Sequence, residues 1–222
     1  MHAIPNLLTS EELSQAMNML SSLTFVDGKA SAGKYAQGVK ENQQAKRDND
    51  HPAQLDTLIG KALGRSDLFR SIALPKRFLP PIYSKYEPGM HYGSHVDNAM
   101  IGGKQPLRAD LSVTVFLSDI ANYDGGELGI STAVGEQLIK LPAGHAVVYD
   151  STTLHRVTPI TRGTRYAAIT WVQSYVRSAG MREILHDLNQ AAHRVANRDA
   201  QSIEAKLLFK SYNNLLRSQV EN

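Results

Sequence analysis

Between Ile82 and Val172 the chain is a succession of short β-patterned segments broken by glycine and proline, and helical spacing stops just before it. Pro75, Pro80 and Pro81 mark the change, because proline cannot continue a helix interior. Strands are expected over 82–86, 90–96, 110–117, 127–131, 137–141, 146–149 and 165–172. Pro88-Gly89, Gly102-Gly103 and Pro142-Ala143-Gly144 turn or loop between them, and Asp124-Gly125-Gly126 reads as a hairpin turn. The segment 110–117 alternates most clearly, with Leu111, Val113, Val115 and Leu117 against Ser112, Thr114 and Phe116. About seven short strands with such turns predict an antiparallel sandwich or barrel rather than alternating βαβ units.

The ends are helical. Thr9 with Glu12 forms a capping box for a helix over 9–22, with Leu13, Met17 and Leu20 on one side. A second helix is expected over 52–70, its apolar face made of Leu55, Leu58, Ile59 and Leu63. The stretch 27–50, rich in Gly, Lys, Gln and Asn, is expected to be mostly irregular and mobile, either a cover for a site or a solvated loop. From Ser178 onward Met181, Ile184, Leu185, Leu188, Ala192 and Val195 form one helical stripe, and Ile203, Leu207, Leu208, Leu215 and Leu216 a weaker one. These helices either pack on the β core or join a second copy. The implied organisation is an N-terminal helical and irregular region over 1–76, a β core over 77–177 and a C-terminal helical region over 178–222.

The chain has no cysteine, so a metal here falls to His, Asp or Glu. A net charge of +3 without a block of Lys or Arg gives no reason to expect a nucleic-acid partner. No apolar run approaches the roughly 20 residues that span a bilayer, and the first residues do not read as a secretory signal. A cytoplasmic protein is expected.

His95-Val96-Asp97 is the motif with chemical content. On a strand, residues two apart share a face, about 6.6 Å apart at roughly 3.3 Å per residue, so one imidazole and one carboxylate can hold the same ion. His155 follows downstream, and two His with one carboxylate leave open positions as in non-haem Fe(II) oxygenases. His91, four residues before His95, would share a metal on a helix, but on a strand it lies about 13 Å away. His145 reads as a polar residue at a strand start, and His2, His51, His186 and His193 as surface or interface residues. Arg165 either binds a substrate carboxylate through paired charge-assisted bonds or pairs with an acid at the rim of the fold.

These residues resemble the prolyl-4-hydroxylase branch of the Fe(II)/2-oxoglutarate dioxygenases. His95, Asp97, His155 and Arg165 carry the likeness, with Tyr86 upstream and Asp124–Leu128 between. The segments Tyr83–Met90, Asp110–Asp119 and Gly163–Trp171 resemble, more narrowly, the bacterial PKHD-type hydroxylases. The resemblance implies an α+β chain whose mainly β core is a double-stranded β-helix, a cupin-like jelly-roll barrel. It also implies iron on His95, Asp97 and His155, the distal carboxylate of 2-oxoglutarate on Arg165, a hydrogen bond from Tyr86 to the cosubstrate, and L-ascorbate (vitamin C) as reductant. Asp124–Leu128 reads as structural.

The function so implied is a dioxygenase that hydroxylates an unidentified substrate while O2 and 2-oxoglutarate yield succinate and CO2. Two alternatives are a cupin-type metal enzyme that does not use 2-oxoglutarate and a non-catalytic sensor of iron or 2-oxoglutarate. Nucleic-acid demethylases of the superfamily carry a second arginine six residues after the first, where this chain has Trp171.

Overall fold

The computed structural model describes residues 1–31, 33, 36–47 and 52–220; His51 and part of the 27–50 stretch lie outside them. After β1 (His2–Ile4), helix α1 (Ser10–Ser21) begins at the expected cap. Thr9 Oγ1 accepts the Glu12 N–H at 3.2 Å, and Glu12 accepts the Thr9 N–H at 2.9 Å. The two bonds satisfy donors that a helix start otherwise leaves unpaired. Three short strands follow, β2 (Phe25–Asp27), β3 (Lys40–Glu41) and β4 (Gln43–Ala45), where mostly irregular chain was expected.

The single helix expected over 52–70 is two, α2 (Pro52–Arg65) and α3 (Asp67–Ala73). Ser66 divides them: its backbone is extended and its hydroxyl accepts the Phe69 N–H at 3.2 Å, which starts a new helix instead of continuing the old one. Leu55, Ile59 and Leu63 of α2 are fully buried.

The β core comprises β5 (Pro75–Phe78), β6 (Ile82–Tyr86), β7 (His91–His95), β8 (Met100–Ile101), β9 (Leu107–Arg108), β10 (Leu111–Phe116), β11 (Tyr123–Gly125), β12 (Leu128–Thr132), β13 (Gly135–Ile139), β14 (Ala146–Asp150), β15 (His155–Val157), β16 (Ile160–Gly163) and β17 (Arg165–Ser174). One antiparallel sheet runs β1-β14-β10-β17-β6-β4-β2, with β5 also on β17; the other runs β13-β12-β15-β7-β3. From β6 onward the chain passes repeatedly between the two sheets, which gives the jelly-roll arrangement. The sheets face one another but do not join into a closed barrel. Phe116, Val147 and Tyr149 of the first meet Leu128 and Ile130 of the second.

Both faces of β10 are buried. Leu111, Val113, Val115 and Leu117 pack in one cluster with the buried residues of α2 and α3, so Ser112, Thr114 and Phe116 turn into the space between the sheets. The alternation legible in the sequence therefore separates two interiors, not a core from solvent.

Asp124-Gly125-Gly126 is not a hairpin turn. Tyr123–Gly125 pairs with β16, not with β12. Both glycines have positive φ, and a Cβ on Gly126 would come within 2.9 Å of Arg165 Cδ and 2.3 Å of Ile160 Cδ1. The glycine makes room for the arginine.

Helices α4 (Ala179–Ala196) and α5 (Ile203–Gln219) pack on each other, and α4 also packs on α3. Buried Arg182 donates to the carbonyls of Val176 and Arg177 and pairs with Asp150, tying α4 to the end of β14. Ile184, Ile203 and Leu207 of the expected stripes are exposed. His186 is buried rather than on the surface, bonded to Ser71 at 2.8 Å and Gln190 at 2.6 Å, and His2 stands edge-on to it. Among the described residues no helix is long and apolar enough to cross a membrane.

Candidate metal centre and active site

His95 ends β7, and His155 opens β15 directly opposite it in the antiparallel register. Asp97 lies two residues past His95, and one ligand atom from each of the three comes within 4.8 Å of the others. His91 is not among them; it is half-exposed, 3.6 Å from Glu41. The two imidazoles are tied in the same way. His95 Nδ1 lies 2.8 Å from the Gly93 carbonyl and His155 Nδ1 2.9 Å from the Thr153 carbonyl. Each Nδ1–H therefore donates to backbone and each Nε2 keeps its lone pair for a ligand bond. Burial, reinforced by His155, pushes the His95 pKa down to about 4, so its ring is neutral at physiological pH.

Asp97 Oδ2 accepts from Ser112 Oγ at 2.6 Å, and Ser112 Oγ in turn lies 2.7 Å from Ser151 Oγ. Both hydroxyls are buried and neither was singled out in the sequence. They sit on or beside β10 and β14, neighbours in the large sheet, and no short-range pattern relates them to Asp97. Tyr92 stacks on His95 with ring centroids 3.6 Å apart, and Tyr149 meets His155 edge-on. Burial raises the pKa of both phenols, which stay neutral.

Arg165 opens β17 opposite Tyr86 of β6 and is 1% exposed. Its guanidinium lies 5.3 Å from the Tyr86 ring centroid and 5.5 Å from that of Phe116. Its Nε has no hydrogen-bond partner, and among the described residues no acidic side chain pairs with it, so the rim ion pair weighed in the sequence is not what the fold builds. A buried cation with an orphaned donor fits a carboxylate ligand. His95, Asp97, His155, Arg165 and Tyr86 all line one cavity of about 520 Å³. The donor set of two imidazoles and one carboxylate suits Fe(II) and leaves positions open for a cosubstrate.

A family model described as the 2OG-Fe(II) oxygenase superfamily matches residues 81–173. A PKHD-type hydroxylase of Synechococcus elongatus is 46% identical over 215 residues, 96% of each chain. Another from Methylobacterium nodulans is 43% identical over 222 residues, 98% of each. The chain belongs to the PKHD-type hydroxylases of the 2OG-Fe(II) oxygenase superfamily. Solved structures show the same fold. A Pseudomonas putida prolyl-4-hydroxylase superposes with a TM-score of 0.54 at 17% identity, covering 78% of this chain and 91% of its own. HygX from Streptomyces hygroscopicus, solved with nickel and 2-oxoglutarate bound, gives 0.55 at 14% identity, covering 78% and 83%. This PKHD-type hydroxylase is an Fe(II)- and 2-oxoglutarate-dependent dioxygenase, with O2 as its other cosubstrate.

Proposed function

We propose that His95, Asp97 and His155 hold the Fe(II) and that Arg165 holds the distal carboxylate of 2-oxoglutarate, with a hydrogen bond from Tyr86 orienting it. Residues 77–177 form the catalytic core in this reading, 1–76 and 178–222 its supports, and L-ascorbate keeps the metal reduced. The carrying observation is the convergence of three ligand atoms within 4.8 Å, both imidazoles held by backbone, on a cavity that also contains the unpartnered Arg165 Nε.

When bound, Fe(II) and 2-oxoglutarate supply the O2-dependent chemistry that couples decarboxylation, to succinate and CO2, with hydroxylation of a substrate carbon. The chain's residues bind and orient. The Asp97 carboxylate would offset part of the metal's charge, and the two imidazoles would complete the protein's share of its ligands. Ser112 holds one Asp97 oxygen at 2.6 Å and so limits how that carboxylate can turn toward the metal. Arg165 fixes the far end of the cosubstrate, and the Tyr92 and Tyr149 rings pack against the His95 and His155 imidazoles and help hold them in place. The test is succinate formation from 2-oxoglutarate under air. His155→Ala and Asp97→Ala are expected to abolish it along with bound iron, and succinate formation that survived either change would contradict the assignment.

A further inference from the structure

The cavity carries a second cation that the metal and cosubstrate leave unmatched. Lys40 of β3 lines it and is 4% exposed. Its ammonium donates to Ser31 Oγ at 2.7 Å and lies 4.9 Å from the centroid of Tyr92, the ring stacked on His95. Among the described residues no carboxylate comes within ion-pair distance of it. Burial brings its pKa down to about 8 even though Asp97 and Asp27 pull the other way, so nearby charge does not make up for lost water. With Fe(II) and 2-oxoglutarate bound as proposed above, Asp97 and one cosubstrate carboxylate would balance the metal and the other carboxylate would balance Arg165. Lys40 is the charge left over. A buried ammonium without a counter-charge is costly, and such a cost is commonly retained where a ligand relieves it.

Its neighbours are also incomplete. Lys40, Asn42 and Gln44 alternate along the chain, all line the cavity and are at most 9% exposed. The side-chain polar atoms of Asn42 are buried beside the Tyr86 hydroxyl without a hydrogen bond of ordinary geometry, and the Trp171 indole N–H, on the same cavity, has no partner. Local topology explains why a side chain so early in the sequence reaches the centre. Lys40 pairs with Tyr92 in one sheet, while Gln43 pairs with Lys85 in the other, so the segment crosses the gap between the sheets. Val96 and Leu154, the residues flanking the proposed metal ligands, also line the cavity and are about half exposed.

We propose that Lys40 is the specificity-determining cation for the primary substrate, which presents a carboxylate to Lys40, an amide-type hydrogen-bonding group to Asn42, and an apolar body to Val96 and Leu154. The proposal rests on the iron and 2-oxoglutarate reading above. It assigns Lys40 to the substrate and not to the cosubstrate, whose distal carboxylate already has Arg165.

The probes are N-acetyl-L-leucine, which combines the three features, and N-acetyl-L-leucinamide, a near-isostere whose carboxamide carries no negative charge. Each is titrated into the full-length protein loaded anaerobically with Fe(II) and 2-oxoglutarate, and the visible metal-to-ligand absorption band reports perturbation of the centre. The carboxylate is expected to shift the band saturably, and the amide to bind about 30-fold or more weakly, as expected for an unpaired buried charge. Lys40→Met is expected to erase that preference, keep the 2-oxoglutarate affinity, and leave the ligand-free melting temperature equal or higher. Lys40→Gln serves the same purpose if Lys40→Met does not fold. Equal binding of the two probes, no response to either, a melting temperature lowered by both variants, or a loss of 2-oxoglutarate affinity would each overturn the proposal. If the wild-type protein showed no band with 2-oxoglutarate at all, the underlying reading would fall as well.

Discussion

Asp97 is held by the Ser112 hydroxyl, which Ser151 touches in turn, and its proposed role as a metal ligand depends on that support. Ser112→Ala removes the 2.6 Å bond to Oδ2 without touching a ligand. We expect iron affinity to fall about 10–100-fold, the usual effect of losing a partner behind a metal ligand. Anaerobic equilibrium dialysis measures it, and unchanged affinity would show that the bond is incidental. Gly126→Ala tests the other half of the site. The positive φ costs roughly 1–2 kcal/mol in a residue with a Cβ, and that Cβ would press on Arg165 Cδ. Melting temperature and 2-oxoglutarate affinity should fall together; a loss of stability alone would mean that Arg165 does not need the space. The sequence reveals this site unevenly. His95 and Asp97 are legible as a His-x-Asp pair, but the shared strand face that the spacing implies is not what holds them: the strand ends at His95 and Asp97 lies just beyond it. Ser112, Ser151 and Lys40 reach the centre by strand pairing across long separations, which spacing along the chain does not encode.

Elements with strong local signals match expectation, and those defined by partners do not. The Thr9–Glu12 box places α1 to within a residue, and Thr9→Ala should cost about 1 kcal/mol, read as a lower denaturation midpoint at unchanged slope. The break at Ser66 is hard to see in the sequence because apolar residues resume beyond it, at Phe69 and Ile72, after Leu55, Ile59 and Leu63. On α4 the sequence marks His186 as a surface or interface residue; it is buried where α4 meets α3, bonded to Ser71 and Gln190. Burial holds its pKa below the ordinary 6.5, and burial together with the N-terminus and His186 does the same for His2. The folded state therefore binds fewer protons than the unfolded state just below 6.5, so stability is full above that pH and declines as pH falls through it. Melting temperature should drop on acidification, less steeply in His186→Gln. Identical slopes for the two proteins would assign the pH dependence elsewhere.

At the scale of the molecule, the seven expected strands are all present, but the sheets are larger than those strands supply. β1 to β4 are two or three residues long, too short to display alternation, and they take their conformation from the strands they join. The N-terminal region thus contributes one wall of the cavity, with Lys40 and Asn42 on it. Two facing sheets bring His95, Asp97 and His155 together in one cavity with a buried Arg165 opposite Tyr86, which is what the proposed binding of a metal chelated by a dicarboxylate requires. The direct test is an anaerobic titration of the Fe(II)-loaded protein with 2-oxoglutarate, following the visible metal-to-ligand charge-transfer band, with Arg165→Ala beside it. The account predicts a saturable band in the wild type and a requirement for about 30-fold or more 2-oxoglutarate in the variant, the usual cost of removing one partner of a buried charge pair. No band with iron demonstrably bound, or identical titrations for the two proteins, would contradict it.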